Sequence, residues 1–140
     1  MISPEEGCRG PLGARYLGHN RCSFLVWAPH RQSVAVRLWS PADRLVPMHP
    51  GGNGYWWATV EDLPAGSLYR YWLDDAVERP DPASHHQPQG VHGPSRVVSH
   101  ADFRWQDEDW CGIPLSQMIL YELHVGTFTR EGTFDAIVPR

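Results

Sequence analysis

The sequence lacks both the long apolar run that a membrane span needs and the clustered basic residues that a nucleic-acid interface shows. Its 12 basic and 16 acidic side chains are scattered along the chain and leave a formal net charge of −4. Residues 1–6 contain no basic stretch followed by an apolar one, so they do not resemble a secretory signal. These absences argue against nucleic acid or a membrane as partner and predict a soluble cytoplasmic protein.

Residues that commonly bind metals or form disulfides are also sparse or badly spaced. The three cysteines are odd in number and far apart, which predicts free structural thiols at Cys8, Cys22 and Cys111. Three histidines share one loop without the spacing of a known metal motif, and ordinary surface histidines are the better interpretation of His85, His86 and His92. There is no Gly-rich phosphate loop and no serine or cysteine triad spacing. No metal and no cofactor are predicted.

What the sequence does contain is 13 glycines, 13 prolines and 41% hydrophobic residues. Glycine and proline break helices, and here they fall between short β-rich runs. We predict strands at 15–18, 22–28, 33–39, 44–49, 55–61, 67–73 and 95–99. Short strands at this regular spacing are typical of an antiparallel β-sandwich, which we place at 15–99, after a loose arm at 1–14.

Two of the predicted strands carry a candidate carbohydrate site. If 33–39 and 67–73 are neighbours in one sheet, their outward side chains share its outer face, namely Arg37, Trp39, Arg70 and Trp72. Flat indole rings flanked by guanidinium groups suit sugar rings, since the C–H bonds of a pyranose stack on the indole while its hydroxyls bond the arginine. The same patch could instead pack against another domain. Trp57, on the other sheet, has a similar but weaker claim.

The remainder of the chain is less regular. The Pro-rich stretch 79–94 is predicted to be an ordered surface loop, and 100–117 a linker that retains aromatic anchors. An apolar run at 118–129 is typical of a strand of a parallel sheet. Glu122 and His124 would share one face of that strand, either as an acid/base pair or as structural polar groups inside a barrel.

Several segments resemble a known family. Four short segments resemble the N-terminal immunoglobulin-like (early-set) sandwich of branching and debranching enzymes in the α-amylase superfamily. They are Phe24-Leu-Val-Trp-Ala-Pro29, Ser33-Val-Ala-Val36, Gly54-Tyr-Trp56 and Leu68-Tyr-Arg-Tyr71. Two longer motifs resemble more specifically those of malto-oligosyltrehalose trehalohydrolases. The first is Arg79-Pro-Asp-Pro-Ala-Ser84 with Gln87-Pro-Gln-Gly-Val-His-Gly-Pro-Ser95. The second is Leu120-Tyr-Glu-Leu-His-Val-Gly-Thr-Phe-Thr129 with Glu131-Gly-Thr-Phe134. One departure is His85-His86, where an arginine and an aromatic residue are expected.

The resemblance implies a sandwich, a linker and the first strand of an incomplete (β/α)8 barrel at 118–140. Such a barrel needs about 250 residues, and the catalytic carboxylates of this superfamily come from later strands, so no catalytic residue is assigned and the chain alone is predicted to be inactive. The implied partners are the missing catalytic barrel and an α-glucan or maltooligosyl trehalose, in trehalose biosynthesis. The alternatives are the N-terminal domain of a 1,4-α-glucan (glycogen) branching enzyme and a free-standing glucan-binding module.

Overall fold

The computed structural model describes residues 10–101 and 103–140 of the chain. Nine strands lie in the first of two compact units, which ends at Arg104. Their bounds are β1 Gly13–Gly18, β2 Arg21–Trp27, β3 Val34–Leu38, β4 Arg44–Pro47, β5 His49–Pro50, β6 Tyr55–Val60, β7 Leu68–Leu73, β8 Val77–Arg79 and β9 Ser95–Arg96.

The strands form two sheets, and all the pairings are antiparallel. One sheet has four strands in the order β1-β2-β6-β5, and the other has the order β4-β3-β7-β8, with β9 also pairing with β7. Strand β7 is therefore the hub of its sheet, since β3 lies along one side and both β8 and β9 pair with it. The prediction of an all-β sandwich is confirmed.

The core lies between the sheets and follows the two-residue period of the strands. Alternate residues of β2, β3 and β7 point inward and are almost completely buried, for example Phe24, Val36 and Tyr69. The rings of Phe24 and Tyr69 meet edge to face with centroids 5.0 Å apart, an arrangement that aromatic pairs favour. Burial of this apolar surface is the main force that holds the two sheets together.

The strand boundaries differ from the prediction at several points. Strand β1 begins at Gly13, so part of the predicted loose arm is strand, while residues 1–9 of that arm lie outside the described residues. The predicted strand 44–49 divides after Pro47 into β4 and β5, which belong to different sheets. Strand β8 was not predicted, and β9 is two residues long rather than the predicted 95–99. Strands of two or three residues are too short to show a periodicity in the sequence.

The second compact unit, 105–140, contains only short helical turns in the structure. A 3-10 turn spans Leu115–Gln117, and two four-residue helices follow, α1 at Val125–Phe128 and α2 at Phe134–Ile137. Thr133 caps α2, because its hydroxyl accepts from the Ala136 amide at 3.4 Å. None of the helices in the described part of the chain is long and apolar enough to span a bilayer.

The predicted strand at 118–129 is not formed in this structure. Residues 118–124 have no regular secondary structure, and Ile119, part of the apolar run, is 97% exposed. A strand gains its stability from the hydrogen bonds and packing of neighbouring strands. The unit at 105–140 contains no strand among its residues, so the apolar pattern at 118–129 has no partner within that unit.

Candidate functional site

The register of β3 and β7 brings the four predicted site residues of these strands onto one outer face. Arg37 lies directly opposite Arg70, and this pair forms the middle of a strip. Trp39 comes two residues after Arg37, and Trp72 two residues after Arg70 on the antiparallel neighbour, so the two indoles flank the arginines at opposite ends. At about 3.3 Å per residue the strip is about 13 Å long. We call these four residues the Trp39–Trp72 strip.

Both arginines of the strip are held by acidic neighbours. The Arg37 guanidinium donates to both oxygens of Asp43, at 3.2 and 3.0 Å, and to Glu78 Oε1 at 2.6 Å. This hydrogen bonding raises the pKa of Arg37, and in turn the guanidinium lowers the pKa of Asp43. Glu78 also lies 3.9 Å from Arg70. The strip therefore presents fixed donors and acceptors with little net charge.

Arg70 also links the charged centre of the strip to Trp39. Its Cζ lies 5.0 Å from the centroid of the Trp39 ring, within the range of a cation–π contact. Its Nη2 donates to the His92 carbonyl at 2.6 Å, which fixes the guanidinium from the other side. Trp39 is still 43% exposed, so much of its indole remains available to a ligand.

Trp57 lies apart from the strip, on the four-stranded sheet, as predicted. It pairs with Leu25 on one side and with His49 on the other, and its ring centroid is 4.9 Å from that of His49. Trp57 is only 9% exposed, and its Nε1 is buried with no hydrogen-bond partner among the described residues. Little of this indole could stack on a sugar, so a carbohydrate role for Trp57 has weak geometric support.

A buried carboxylate at the start of the Pro-rich loop was missed by the sequence analysis. Asp81 is almost completely buried, and its Oδ2 accepts from the hydroxyls of Tyr69, at 2.6 Å, and Tyr71, at 3.2 Å. Its Oδ1 accepts from the Ala83 amide at 2.8 Å, and its own amide donates to Ser95 Oγ at 3.1 Å. Asp81 therefore ties the loop that follows β8 to the core strand β7 and to β9.

Burial dominates the electrostatics around this carboxylate. It raises the pKa of Asp81 despite the hydrogen bonds that favour the charged form, and it raises the pKa of Tyr69 and of Tyr71. It also raises the pKa of the Cys22 thiol to about 12, so this free cysteine is an inert core residue. The sequence signal for Asp81 was the pair of inward-facing tyrosines two residues apart on β7, whose hydroxyls need a buried acceptor.

The loop histidines are separated rather than clustered. His85 Nδ1 lies 3.2 Å from Nε2 of His100, while His86 and His92 contribute backbone carbonyls to other contacts. Within residues 10–101 and 103–140 no group of three or more potential metal ligands exists. Of the two cysteines that the structure describes, Cys22 is buried and Cys111 is exposed, and both are free thiols.

Comparison with known proteins agrees with this architecture and places the chain in a family. Residues 11–85, which include β1–β8 and the Trp39–Trp72 strip, match the family described as carbohydrate-binding module 48 (isoamylase N-terminal domain). The chain belongs to the carbohydrate-binding module 48 family. The resemblance to the N-terminal domains of α-amylase-superfamily enzymes is thereby confirmed.

Individual relatives make the similarity more specific. Malto-oligosyltrehalose trehalohydrolase from Saccharolobus solfataricus is 38% identical over 124 residues, which cover 89% of this chain and 22% of that enzyme. A 1,4-alpha-glucan branching enzyme from Cutibacterium acnes is 29% identical over 142 residues, 90% of this chain and 20% of that enzyme. A crystal structure from Salmonella typhimurium, of a protein proposed to be an alpha amylase, superposes with a TM-score of 0.77 at 37% identity, covering 91% of this chain and 21% of that one. This module spans about a fifth of the length of these relatives.

Proposed function

We propose that the module is the non-catalytic N-terminal domain of an α-glucan-active glycoside hydrolase that, in full length, releases trehalose from maltooligosyl trehalose. The observation that carries this proposal is the 38% identity to a malto-oligosyltrehalose trehalohydrolase over 89% of the chain. Branching enzyme is the second candidate, supported by a more distant relative at 29% identity. Retaining glycoside hydrolysis needs two carboxylates about 5–5.5 Å apart at the scissile bond, and in this proposal the catalytic barrel supplies them.

Within that enzyme the Trp39–Trp72 strip contacts α-glucan. A glucan is neutral and rich in hydroxyls, and the strip offers an exposed indole beside two guanidinium groups, whose charges are balanced by the carboxylates of Asp43 and Glu78. Hydroxyl groups can donate to Asp43 and Glu78 and accept from Arg70, while the C–H face of a glucosyl ring packs on Trp39. Because the Arg37 donors already bond carboxylates, Arg37 acts in this proposal mainly by orienting them.

The remaining segments take the roles that the family resemblance implies. The sandwich at 15–99 has an immunoglobulin-like arrangement, 100–117 connects it to the barrel, and 118–140 begins the (β/α)8 barrel. Residues 118–125 then become the first barrel strand when later strands supply partners for its backbone and both of its faces. Hydrogen exchange on a protein with the complete barrel would show strong protection at 119–124. Rapid exchange there would overturn this assignment.

Titration with maltoheptaose tests the glucan contact. We expect Trp39→Ala to weaken binding about tenfold, roughly the 1.4 kcal/mol that one aromatic contact contributes. Trp110→Ala is the matched control, because Trp110 is an exposed tryptophan of the other compact unit. Isothermal calorimetry on the 140-residue chain gives the affinities. Equal affinities for Trp39→Ala and the unsubstituted chain would rule out the strip as the contact.

The enzymatic part of the proposal needs a protein that contains the barrel. That protein, incubated with maltooligosyl trehalose, is expected to release trehalose, while the 140-residue chain releases none. Formation of new α-1,6 branches in amylose, with no trehalose released, would replace the trehalohydrolase assignment with the branching-enzyme one. Turnover by the 140-residue chain itself would contradict the non-catalytic role.

A further inference from the structure

A second aromatic site lies at the end of β2, outside the Trp39–Trp72 strip. Trp27 is 56% exposed, the largest exposed fraction among the tryptophans of the sandwich strands. Its Nε1 donates to the Asn53 carbonyl at 3.0 Å, and the next residue, Ala28, donates its amide to the Gly54 carbonyl at 2.8 Å. A side chain that is both exposed and anchored by its polar atom presents a flat surface of fixed orientation.

The turn that anchors Trp27 has a backbone conformation that few residues can adopt. Asn53 and Gly54 both have positive φ angles, 58° and 81°. A Cβ at Gly54 would lie 2.6 Å from Pro29 Cα, so only glycine permits this close approach. The Trp56 indole donates to the Ala28 carbonyl at 3.2 Å and holds the strand end from the core side. Trp27 is therefore preorganised, and ligand binding does not have to order it.

Trp27 lines a groove together with residues of β8 and the Pro-rich loop. The groove has a volume of about 430 Å³, and its lining includes Arg79, Pro82, Gln87 and Val91. Gln87 Nε2 donates to the Val91 carbonyl at 3.0 Å, and no donor among the described residues takes up its Oε1. Arg79 uses one guanidinium nitrogen on the Glu78 carbonyl at 2.8 Å. The groove that Trp27 lines therefore also offers an amide oxygen and further guanidinium N–H groups.

The charged residues that line the groove decide which charge its ligand can carry. Tyr71 and Asp81 are buried lining residues, and the Asp81 carboxylate is already bonded by two tyrosine hydroxyls and the Ala83 amide. One guanidinium, that of Arg79, and one carboxylate leave the lining close to neutral, which does not favour an anion such as a phosphate. The volume lies within the range of about 300–1,000 Å³ typical of small-molecule sites.

We infer that this groove is a second carbohydrate site, which binds a single pyranose unit of a neutral saccharide by stacking on Trp27 and hydrogen bonding to Arg79 and Gln87. The inference extends the proposed glucan contact and shares no residue with the Trp39–Trp72 strip. A glucan long enough to reach both sites would bind the second one at a high effective concentration, and would then be held more tightly than by either site alone.

NMR spectra of the indole N–H groups can separate the two sites in one titration. Maltotriose, added to the ¹⁵N-labelled 140-residue chain, is expected to shift the Trp27 signal, which Trp27→Phe identifies by removing it. Sorbitol is the control ligand, because it has the hydroxyls of a sugar but no ring face. We expect Gln87→Ala to weaken the response of Trp27 about tenfold and to leave that of Trp39 unchanged.

Each outcome separates this inference from the proposed strip. Shifts at Trp27 and Trp39 with independent affinities support both sites, and a shift at Trp27 alone supports the groove and overturns the strip. A shift at Trp39 alone overturns the groove and leaves the strip intact, and the absence of any shift overturns both. An equal response of Trp27 to sorbitol, or a response unchanged by both Gln87→Ala and Arg79→Ala, would also overturn the groove as a pyranose site.

Discussion

The sandwich and the unit at 105–140 both contain apolar and aromatic side chains, but only the sandwich buries them. In the sandwich, residues such as Val36 and Tyr69 lie between two sheets that supply each other's cover. In the second unit, Ile119 and Leu120 belong to an apolar run of similar strand-forming character, yet both are exposed. The difference shows that strand propensity acts only where partner strands satisfy the backbone and the faces.

The first way to test this comparison is to remove the same side chain from both regions. Leu38→Ala should reduce the free energy of unfolding by about 2–5 kcal/mol, because Leu38 is 2% exposed and its loss leaves a cavity. Leu120→Ala should change it by less than about 0.5 kcal/mol, because Leu120 is 79% exposed. Urea denaturation followed by tryptophan fluorescence measures both. A large loss in Leu120→Ala would show that residue 120 contributes to the cooperative core.

A second pair of substitutions compares one backbone conformation in two surroundings. Gly54 and Gly112 have almost equal positive φ angles, 81° and 79°. A Cβ at Gly54 would collide with Pro29, whereas one at Gly112 would meet no atom within 4 Å. Gly54→Ala should therefore cost the sandwich about 1–3 kcal/mol, and Gly112→Ala should leave its thermal transition in place. Circular dichroism melting curves with equal shifts would contradict this reasoning.

The smallest expected effect concerns the pH dependence of stability. Because burial raises the native pKa of Asp81 above its unfolded value of about 3.9, the native state binds this proton more tightly. The contribution of Asp81 to the free energy of unfolding therefore falls as the pH rises from the unfolded pKa through the native one. Asp81→Asn should flatten that decline.

The control for the pH experiment is Asp135→Asn, the same substitution at a carboxylate in α2 of the second unit, outside the sandwich. Urea midpoints measured at intervals between pH 3 and pH 8 provide the slopes, with Asn as a near-isosteric replacement that keeps an acceptor for the tyrosine hydroxyls. A steeper decline in Asp81→Asn than in the unsubstituted chain would mean that the hydrogen bonds outweigh burial.

The strands with clear alternation could be predicted from the sequence, and the candidate strip followed from them. If β3 and β7 are assumed to be neighbours, the two-residue alternation of side chains along each strand is enough to place Arg37 and Arg70 on one face. The burial of Asp81 could not be predicted in this way, because it depends on a loop that folds back over distant tyrosines. The Trp27 groove is also built from segments far apart in sequence, β2, the turn at 51–54 and the loop at 80–91.

The predicted strand at 118–129, which this structure does not form, has a different explanation. Its apolar pattern is typical of a strand whose two faces are both covered by other parts of a protein. Such a pattern predicts a strand whether or not those covering parts are present. The structure forms strands only where partner strands are present, so the prediction and the structure disagree at this segment. The missed strand β8 is the opposite case, since Val77–Arg79 is too short to show a pattern but pairs with an established strand.

The position of β7 as hub has a consequence for how the chain folds during synthesis. Its last partner, β9, and the buried Val97 beside it lie about 25 residues downstream, so the sandwich cannot close until residue 97 is available. Sandwiches of this kind fold in milliseconds to seconds, and the ribosome adds about 5–20 residues per second. Once residue 97 is free of the ribosome, closure competes with elongation on similar or shorter times. The two sheets of the sandwich can therefore be in place while the ribosome is still adding the residues that follow.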